Sequence, residues 1–407
     1  KNLFICSNAC IVSKGRKSME YIENICNEVE KRQRQYHAMA PEIVMTSSFF
    51  FEDFEDFAYG CSNEFDSYVY TRGTNPTVGL LEEKLAVLEH GERCKVFASG
   101  MGAISAAIIT LLKAQDHVLL VNTVYGATVS LVRYFEKYGV SCEVVNTTDV
   151  DEIIKRVQEH TRMIYFESPS SQKFEMIDLQ KLAAFAKTKE IVTVIDNTWA
   201  SPLYQHPLDH GIDVVIHSCS KYVGGHSDIV CGAIISRKEI ISQIEEKGYL
   251  YLGATCSPMN AFLALRGLRT LPVRMRNVHE TIQKVIDALR EDKRIEKIHH
   301  PYCGDAKQKA LADKYLTGYG SLFAIDLADD DLEKLKTFVN ALQVFTLGVS
   351  WGGFESLALP VYKGKNQEDI VKRGLKLTHV RMYAGLEHPD TLIQDIKQAL
   401  DVAYGTV

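Results

Sequence analysis

The sequence lacks the features that mark membrane, secreted and nucleic-acid-binding proteins. No apolar run approaches the roughly 20 residues that a bilayer span needs. The ten cysteines occur singly, without a CxxC pair, which disfavours a disulfide scaffold and a zinc site. The net charge of -6 arises from interspersed acids and bases, so no basic run is available for nucleic acid or a membrane. We therefore expect a cytoplasmic protein with small-molecule partners, and the interrupted apolar stretch at residues 3–12 does not change that expectation.

The chain does have enough apolar sequence for a large core, since 46% of its 407 residues are hydrophobic. From about residue 80, short runs rich in β-branched residues alternate with helical stretches, as at 191–196 and 214–217. This alternation predicts an α/β domain with a mostly parallel central sheet and helices on both faces. After about residue 272, longer amphipathic helices predict a smaller α+β domain.

The start of the chain follows a different pattern. Residues 18–37 predict a charged helix, and the segment from residue 41 to residue 75 is rich in aromatic and acidic side chains without a steady period. Such a segment is typical of an arm that packs against another surface.

Lys221 has the most informative surroundings. It lies between two apolar runs, is flanked by Ser220 and Tyr222, and is followed by Gly224 and Gly225. Burial would lower the pKa of its amine and free the lone pair that Schiff-base chemistry with a carbonyl or with pyridoxal phosphate requires. The alternative is a lysine whose stem packs on a strand end while its ammonium reaches water.

Other polar residues follow predicted strands, at the edge of a parallel sheet where ligands bind. Ser99, Gly100 and Met101 open a helix whose free N–H groups suit a phosphate, although a dinucleotide fingerprint and a plain turn are alternatives. Asp196 could keep the pyridine nitrogen of a cofactor protonated, or cap the next turn. Tyr125 could stack on a flat heterocycle, or be an ordinary half-buried tyrosine.

Two arginines are candidate ligands for anions. Arg72, close to Tyr70 in the arm, suits a phosphate or a surface ion pair. Arg381 is a charge within a strand-like run and suits a substrate carboxylate. The paired histidines at 299–300 have no further ligands at a suitable spacing, so the sequence predicts no metal site.

Taken together, these segments resemble the Cys/Met-metabolism branch of fold-type I pyridoxal-phosphate enzymes, which includes cystathionine lyases and synthases and methionine γ-lyase. The resemblance extends from about residue 36 through nearly the whole chain and rests on several motifs in the family's order. Their number favours a covalent role for Lys221 over a plain surface lysine. The motifs are Tyr70-x-Arg72-x-x-Asn75-Pro76-Thr77, Ser99-Gly100-Met101, Tyr125-Gly126, Asp196-Asn197-Thr198, Ser218-x-Ser220-Lys221-Tyr222, Ser350-Trp351-Gly352-Gly353-Phe354-Glu355-Ser356-Leu357 and Arg381-x-x-x-Gly385-Leu386-Glu387.

The resemblance implies roles for these residues. Lys221 would bind pyridoxal phosphate covalently and remove the Cα proton, Asp196 would pair with the pyridinium nitrogen, and Tyr125 would stack on the ring and protonate the leaving sulfur. Ser350 and Arg381 would bind the α-carboxylate of the substrate beside Val349. The cofactor would be held by Tyr70, Arg72, Ser99, Gly100, Met101, Tyr125, Asp196, Thr198, Ser218, Ser220 and Lys221.

The family likeness also implies the assembly. The expected fold is the PLP-dependent transferase fold type I, with an arm at 1–75 that contacts the neighbouring subunit, a large cofactor domain at 76–271 and a smaller domain at 272–407. Tyr70 and Arg72 would reach the phosphate of the neighbouring subunit. We therefore expect a homotetramer built from dimers that share active sites, with an amino-acid substrate and neither nucleic acid nor membrane as a partner.

For the substrate, the resemblance favours a methionine γ-lyase-like carbon–sulfur lyase that releases a 2-oxo acid, ammonia and a thiol. Relatives that grip the distal amino-acid end of cystathionine carry a glutamate where this chain has Val349, and Val69 is uncharged as well. An apolar pocket disfavours a zwitterionic tail, because an unpaired buried charge is costly.

Several positions depart from the methionine γ-lyase pattern. Ala127 replaces a cysteine, Ser171 replaces an asparagine near the cofactor, and Tyr249 and Leu250 stand where a Lys-Asp pair is usual. Trp351 replaces a leucine and is similar to bacterial cystathionine β-lyases. A cystathionine β- or γ-lyase, and a transferase of the cystathionine γ-synthase or sulfhydrylase type, therefore remain alternatives.

Overall fold

The computed structural model describes residues 19–29 and 36–405. The apolar stretch at 3–12, and residues 18 and 30–35 of the helix predicted over 18–37, lie outside these residues. Within the described residues that helix is shorter than predicted: α1 (Met19–Asn27) buries Ile22 and Cys26, and residues 28–29 and 36–37 are not helical.

The arm, which we define as residues 36–75, has little regular structure. It contains the short helix α2 (Phe54–Ser62) and one antiparallel bridge between Ser48 and Tyr70. Many of its large apolar side chains are exposed in a single chain: Tyr36, Met39, Met45, Phe50, Phe54, Phe57, Tyr59, Tyr68 and Tyr70. The segment therefore presents an apolar surface without covering it itself.

A seven-stranded sheet forms the centre of the larger part of the chain. Its spatial order is β1-β7-β6-β5-β4-β2-β3, in which β7 is antiparallel to both neighbours and the other pairs are parallel. The predicted, mostly parallel sheet is thus confirmed. The strands are β1 (Arg93–Phe97), β2 (His117–Val121), β3 (Ser141–Val145), β4 (Thr161–Glu167), β5 (Val192–Asp196), β6 (Val214–Ser218) and β7 (Gly232–Ser236).

Helices cover both faces of this sheet, because successive strand residues alternate between two cores. The helices of this part are α3 (Pro76–Leu88), α4 (Gly100–Leu111), α5 (Gly126–Tyr134), α6 (Val150–Lys155), α7 (Leu179–Thr188), α8 (Ser201–Tyr204) and α9 (Lys238–Gln243), followed by a π-helical turn (Ile244–Tyr249). On β2, Leu120 packs with the side chains of α4 and α5, whereas Leu119 packs with those of α6 and α7.

The long helix α10 (Pro258–Leu289) leads to a second, five-stranded sheet with the order β10-β11-β12-β9-β8. This sheet confirms the predicted smaller α+β part of the fold. The division after residue 271 stays a prediction, and α10 is continuous through that position. The remaining elements are β8 (Ile295–His299), α11 (Ala306–Tyr315), β9 (Leu322–Leu327), α12 (Leu332–Ala341), β10 (Thr346–Leu347), β11 (Leu357–Pro360), α13 (Gln367–Lys372), β12 (His379–Tyr383) and α14 (Pro389–Tyr404). Among the helices of residues 19–29 and 36–405, none combines the length and the apolar character of a membrane span.

Candidate active site

The carboxyl ends of three parallel strands bring the candidate residues together. Glu167 ends β4 and pairs in register with Asp196, which ends β5, while Ser218 ends the neighbouring strand β6. This is the edge at which an α/β sheet binds its ligands. The sequence-predicted location of the site therefore coincides with a real convergence of polar side chains.

Asp196 is a carboxylate held in one orientation by the residue two positions on. Its Oδ1 accepts hydrogen bonds from the backbone N–H of Thr198, at 3.0 Å, and from the Thr198 hydroxyl. Oδ2 has no hydrogen-bond partner within residues 19–29 and 36–405. Burial raises the pKa of Asp196, while the Thr198 hydrogen bonds and the charges of His217 and Lys221 oppose that rise. The free oxygen is thus available to a ligand that can donate a proton or carry positive charge.

A buried polar network lies beneath this carboxylate. Oε1 of Glu89 accepts a hydrogen bond from Nδ2 of Asn197 at 2.8 Å and contacts Nε2 of His217. The three side chains are buried, and Asn197 and His217 directly adjoin Asp196 and Ser218 in sequence. The network therefore fixes the ends of β5 and β6. Sequence reasoning missed Glu89 and His217, and the only local signal was a histidine inside an apolar strand.

Lys221 occupies the turn that follows β6. Its backbone N–H donates to the carbonyl of Ser218 at 3.1 Å, and its Nζ donates to Oγ of Ser350. Burial lowers the pKa of Lys221 to about 8; the positive charge of Arg381 adds to this effect and Asp196 opposes it. The amine is therefore directed at a hydroxyl inside the site and is easily deprotonated, which favours the reactive reading over the plain surface lysine.

The backbone around Lys221 is tightly constrained. A Cβ on Gly352 would lie 2.9 Å from Cβ of Lys221, and Gly352 has a φ of +87° that favours glycine. Ser350 has a φ of +84°, a left-handed conformation that is uncommon for residues with a side chain. Strain of this kind is typical of functional sites, and here it directs the Ser350 hydroxyl at the lysine.

The turn between β1 and α4 forms a cradle for an anion. Ser99 caps α4, and a Cβ on Gly232 would lie 2.3 Å from the Ser99 carbonyl oxygen, so the two backbones touch. A Cβ on Gly100 would lie 3.1 Å from Cβ of Ser218. In the described part of the chain, the N–H groups of Gly100 and Met101 and the hydroxyl of Ser218 have no hydrogen-bond partner. Unpaired amides at a helix N-terminus suit a phosphate.

Two other predicted cofactor ligands already have partners. Oγ of Ser220 donates to the carbonyl of Cys231 at 3.2 Å and accepts from its N–H at 3.0 Å, which closes the hairpin between β6 and β7. The hydroxyl of Thr198 also accepts from the N–H of Ser218 at 2.8 Å. Both residues hold the site together, and their direct contact with a cofactor stays a prediction.

Tyr125 is placed by a residue that sequence reasoning missed. Its backbone N–H donates to Oε1 of Glu167 at 2.6 Å, and the hydroxyl of Ser171 donates to Oε2 of the same carboxyl group. Burial, assisted by the charge of Asp196, raises the pKa of Glu167 to about 8. The Tyr125 ring is half exposed, at 50% of its surface, and is free to stack on a ligand. The sequence signal that could have identified Glu167 is the position of an acidic residue at the end of an apolar strand.

Arg381 brings the second sheet to the site. It lies on β12, opposite Ala324 on β9, and burial lowers its pKa to about 10. The electrostatic interaction with Glu167 opposes this shift, so the guanidinium of Arg381 and the Glu167 carboxyl group lie within electrostatic reach of each other. A partly desolvated guanidinium at this position is suited to binding a carboxylate.

The predicted arm residues lie elsewhere in a single chain. The guanidinium of Arg72 stacks on the ring of Tyr70, with 5.2 Å between Cζ and the ring centroid. Both residues line a cavity of about 600 Å³ together with Ser47, Thr255 and other side chains. The residues that line this cavity do not include Lys221. Val349, beside Ser350, is also largely exposed, at 75%.

The histidines at 299–300 take part in hydrogen bonds. Nε2 of His299 and Nδ1 of His379 each lie 2.6 Å from a different oxygen of Asp326. One potential metal-ligand atom from each of these three residues lies within 4.8 Å of the other two. Contacts this short are hydrogen bonds to the carboxylate, whereas ligands of a common ion would stand further apart. Nε2 of His300 donates to the Gly320 carbonyl at 2.9 Å.

The arrangement fits pyridoxal phosphate group by group. The Gly100–Met101 amides and Ser218 suit its phosphate, the open oxygen of Asp196 suits its pyridine nitrogen, and Lys221 suits its aldehyde. These are three separate observations on the polar groups of the site, and each group matches a different part of pyridoxal phosphate.

Comparisons with known proteins agree with this fit. The family described as Cys/Met metabolism PLP-dependent enzymes matches residues 24–401. The L-methionine gamma-lyase of Pseudomonas deceptionensis is 36% identical over 371 residues, which are 89% of this chain and 92% of that protein. The cystathionine beta-lyase of Lactococcus lactis subsp. cremoris is 35% identical over 342 residues, 82% of this chain and 88% of that protein.

A solved structure gives the same result for the fold. The cystathionine gamma synthase of Xanthomonas oryzae pv. oryzae, in complex with aminoacrylate and cysteine, superposes with a TM-score of 0.87 at 31% sequence identity. The superposition covers 95% of this chain and 99% of that one.

Proposed function

Because the chain belongs to the Cys/Met-metabolism family of pyridoxal-phosphate-dependent enzymes, we propose that it is a carbon–sulfur lyase that acts on methionine or a similarly compact thioether amino acid. The products are a 2-oxo acid, ammonia and a thiol. The observation that carries the proposal is the Lys221 amine, with its pKa lowered to about 8, directed at Ser350 within electrostatic reach of Asp196 and Arg381.

Pyridoxal phosphate is the cofactor of this family. Gly100, Met101 and Ser218 would hold its phosphate, Asp196 its pyridine nitrogen and Lys221 its aldehyde carbon. When bound, it supplies an electron sink for negative charge at the substrate Cα.

The chain's own residues bind the substrate and move its protons. Arg381 binds the α-carboxylate through its guanidinium, which fixes the orientation of Cα. The Nζ of Lys221 then accepts the Cα proton; its lowered pKa makes a useful fraction of free amine available near neutral pH. Ser350 Oγ holds that nitrogen in place between proton transfers.

The leaving group decides what further transfers are needed. A thiolate at Cβ can leave once Cα is deprotonated, whereas one at Cγ needs a second proton removed from Cβ. Tyr125 Oη delivers a proton to the departing sulfur. The Glu167 carboxyl group supports this role because it fixes the backbone from which the Tyr125 ring projects.

A second copy of the chain completes the site. Tyr70 and Arg72 reach the cofactor phosphate of the neighbouring subunit, and the exposed apolar side chains of the arm pack on that subunit. What supports this is the position of both residues in a cavity that is separate from Lys221 in one chain. The assembly is a tetramer of two such dimers. A cytosolic location is supported by the eight cysteines of the described residues, all of which are unpaired.

One observation favours a second candidate, a cystathionine lyase. The Trp351 ring lies 5.7 Å from the Lys221 Nζ, at a position where bacterial cystathionine β-lyases resemble this chain. The transferase alternative is supported by the similarity to the cystathionine gamma synthase of Xanthomonas oryzae pv. oryzae.

Product identification separates these activities. The holoenzyme is incubated in turn with methionine, cystathionine and cysteine, and the keto acid is identified by chromatography. We expect 2-oxobutyrate from methionine. Pyruvate from cystathionine, with methionine untouched, would establish the β-lyase instead. The absence of a keto acid with all three substrates, together with product formation from an activated homoserine and a thiol, would establish the transferase.

A further inference from the structure

Two cations on β1 hold the part of the arm that carries Tyr70 and Arg72. Arg93 and Lys95 are two residues apart on this edge strand, so their side chains project to the same side. Nη2 of Arg93 donates to the carbonyl of Phe65 at 3.2 Å. Nζ of Lys95 donates to the carbonyl of Gly73 at 3.0 Å. The two contacts therefore fix both ends of the segment 65–73.

A buried carboxylate joins the two cations. Oε1 of Glu245 lies 3.3 Å from Nη2 of Arg93 and 3.7 Å from Nζ of Lys95. Glu82 lies 3.3 Å from the same ammonium, and the ring centroid of Tyr249 lies 4.5 Å from it. Lys95 and Glu245 each retain only 2% of their exposure, which leaves the ammonium fully surrounded. Glu245 belongs to the π-helical turn, a conformation that often occurs at functional sites.

Such a cluster is a poor way to gain stability. A buried ion pair rarely improves on packed apolar side chains, because removing the charges from water costs about as much as their attraction returns. What charged donors do provide is a fixed geometry for the carbonyl groups they bind. By contrast, the bonds of Val69 and Thr71 run to other residues of the arm, with Phe49 N and Ser47 O as their partners.

We propose that Arg93, Lys95 and Glu245 are positioning residues that form a clasp, fixing the segment 65–73 so that Tyr70 and Arg72 meet the cofactor phosphate of the neighbouring subunit. The inference rests on the proposed function in one respect, namely that these two arm residues bind that phosphate. Loss of the clasp leaves the Lys221 site of the same chain intact and weakens the hold on the phosphate in the other subunit.

Lys95→Met tests the clasp, since methionine keeps the volume and removes the donor. The dissociation constants of pyridoxal phosphate and of pyridoxal, which has no phosphate, are measured for the reconstituted enzyme by absorbance. We expect the dissociation constant of pyridoxal phosphate to rise about tenfold or more, because one charged hydrogen bond to its phosphate is lost. The dissociation constant of pyridoxal should not change. Lys155→Met is the matched control, because Lys155 makes an exposed ion pair with Glu152, and it changes neither constant.

Rescue and a second variant guard against misfolding. Lys95→Arg keeps a cation and recovers part of the affinity for pyridoxal phosphate. If Lys95→Met fails to fold, as judged by circular dichroism, Glu245→Gln removes the shared counter-ion without changing its shape. Glu245→Gln should also raise the dissociation constant of pyridoxal phosphate.

Arg72→Met separates the clasp from the function on which it rests. If Arg72→Met selectively weakens the binding of pyridoxal phosphate, then adding Lys95→Met to it should have a smaller effect than Lys95→Met has alone, because only the contact through Tyr70 remains to be lost. A selective loss in Arg72→Met with wild-type constants in Lys95→Met would overturn the clasp alone. Wild-type affinity in Arg72→Met would overturn the phosphate role of the arm. Equal losses for pyridoxal phosphate and pyridoxal in Lys95→Met would show general destabilisation and would also overturn the clasp.

Discussion

The Lys221 site and the arm differ in how their functional side chains are held. At the Lys221 site, strand pairing and a buried network fix the backbone, so Asp196 and Lys221 have defined partners within one chain. In the arm, Tyr70 and Arg72 project from a segment with a single bridge and a largely exposed apolar surface. A single chain thus organises the Lys221 site by itself, whereas the phosphate contacts proposed for the arm require a second copy.

Substitutions in the two regions should therefore impair the protein in different ways. A change at the Lys221 site should reduce the chemical step at any protein concentration. A change in the arm should reduce cofactor retention and should be repairable by another subunit. The following experiments test that separation, beginning with the largest expected effect.

Lys221→Ala is expected to have the largest effect. Removing the amine eliminates both the covalent attachment and the base, so keto-acid release should fall by at least about 10²–10⁴-fold. The melting temperature and the oligomeric state should remain those of the wild type, because the residue is absent from the apolar cores. Turnover within a few-fold of the wild type would contradict the role of this lysine.

Asp196→Asn should lower turnover by about 10²–10³-fold, the usual cost of losing one electrostatic partner in a site. A neutral amide does not stabilise a protonated pyridine nitrogen, although it preserves the shape of the carboxylate. Asp390→Asn is the matched control, since Asp390 is an exposed residue at the start of α14. Similar rates for the two variants would remove Asp196 from the mechanism.

Mixing two impaired variants tests the arm directly. Arg72→Ala and Lys221→Ala are unfolded together, or co-expressed, so that mixed dimers form. In a mixed dimer one site combines Lys221 from one chain with Arg72 from the other, so part of the activity should return. A mixture no more active than its components would show that Arg72 acts within its own subunit.

Glu167→Gln should have the smallest effect on turnover and a distinct effect on pH dependence. Burial raises the pKa of Glu167 from its ordinary 4.5 to about 8, so the folded state keeps a proton that the unfolded state has lost in this window. The free energy of unfolding of the wild type therefore falls as the pH rises from about 4.5 to about 8. The glutamine variant, which has no proton to lose at this position, should not show this fall.

Above pH 8 the variant should be more stable than the wild type by about 1 kcal/mol or more. Denaturant unfolding at a series of pH values measures the difference. The Ser171 hydroxyl can rotate to accept from the new amide, so the contacts of Tyr125 should persist. Parallel stability curves for the two proteins would show that Glu167 is ionised at neutral pH.

Much of the fold was accessible from local pattern. The apolar runs at 191–196 and 214–217 correspond to β5 and β6, because a short run rich in β-branched residues with polar neighbours is typical of a buried strand. The first half of α10 was missed, since the longer helices were predicted only after about residue 272, whereas the helix begins at Pro258. In the structure Pro258 occupies the first turn, where proline is well tolerated.

The site was accessible only in part. Lys221 and Asp196 follow strands in sequence and could be placed at one sheet edge, but Glu89 lies 128 residues from its partner His217. Glu167 reaches the backbone of Tyr125 across 42 residues. Contacts of this kind depend on tertiary packing, which no local spacing encodes. The cations Arg93 and Lys95 gave no signal either, because an edge strand tolerates charge without any special role.

The continuity of α10 limits how this enzyme can admit its substrate. The 32 residues of this helix extend over about 48 Å and contribute side chains both to the core of the larger part and to that of the smaller. If the two halves rotated as rigid bodies, the helix α10 that they share would have to bend. Such a bend would cost the least free energy at Pro272, which has no amide hydrogen to donate to the helix. Opening is therefore more easily achieved by loops at the sheet edge than by a hinge between the halves.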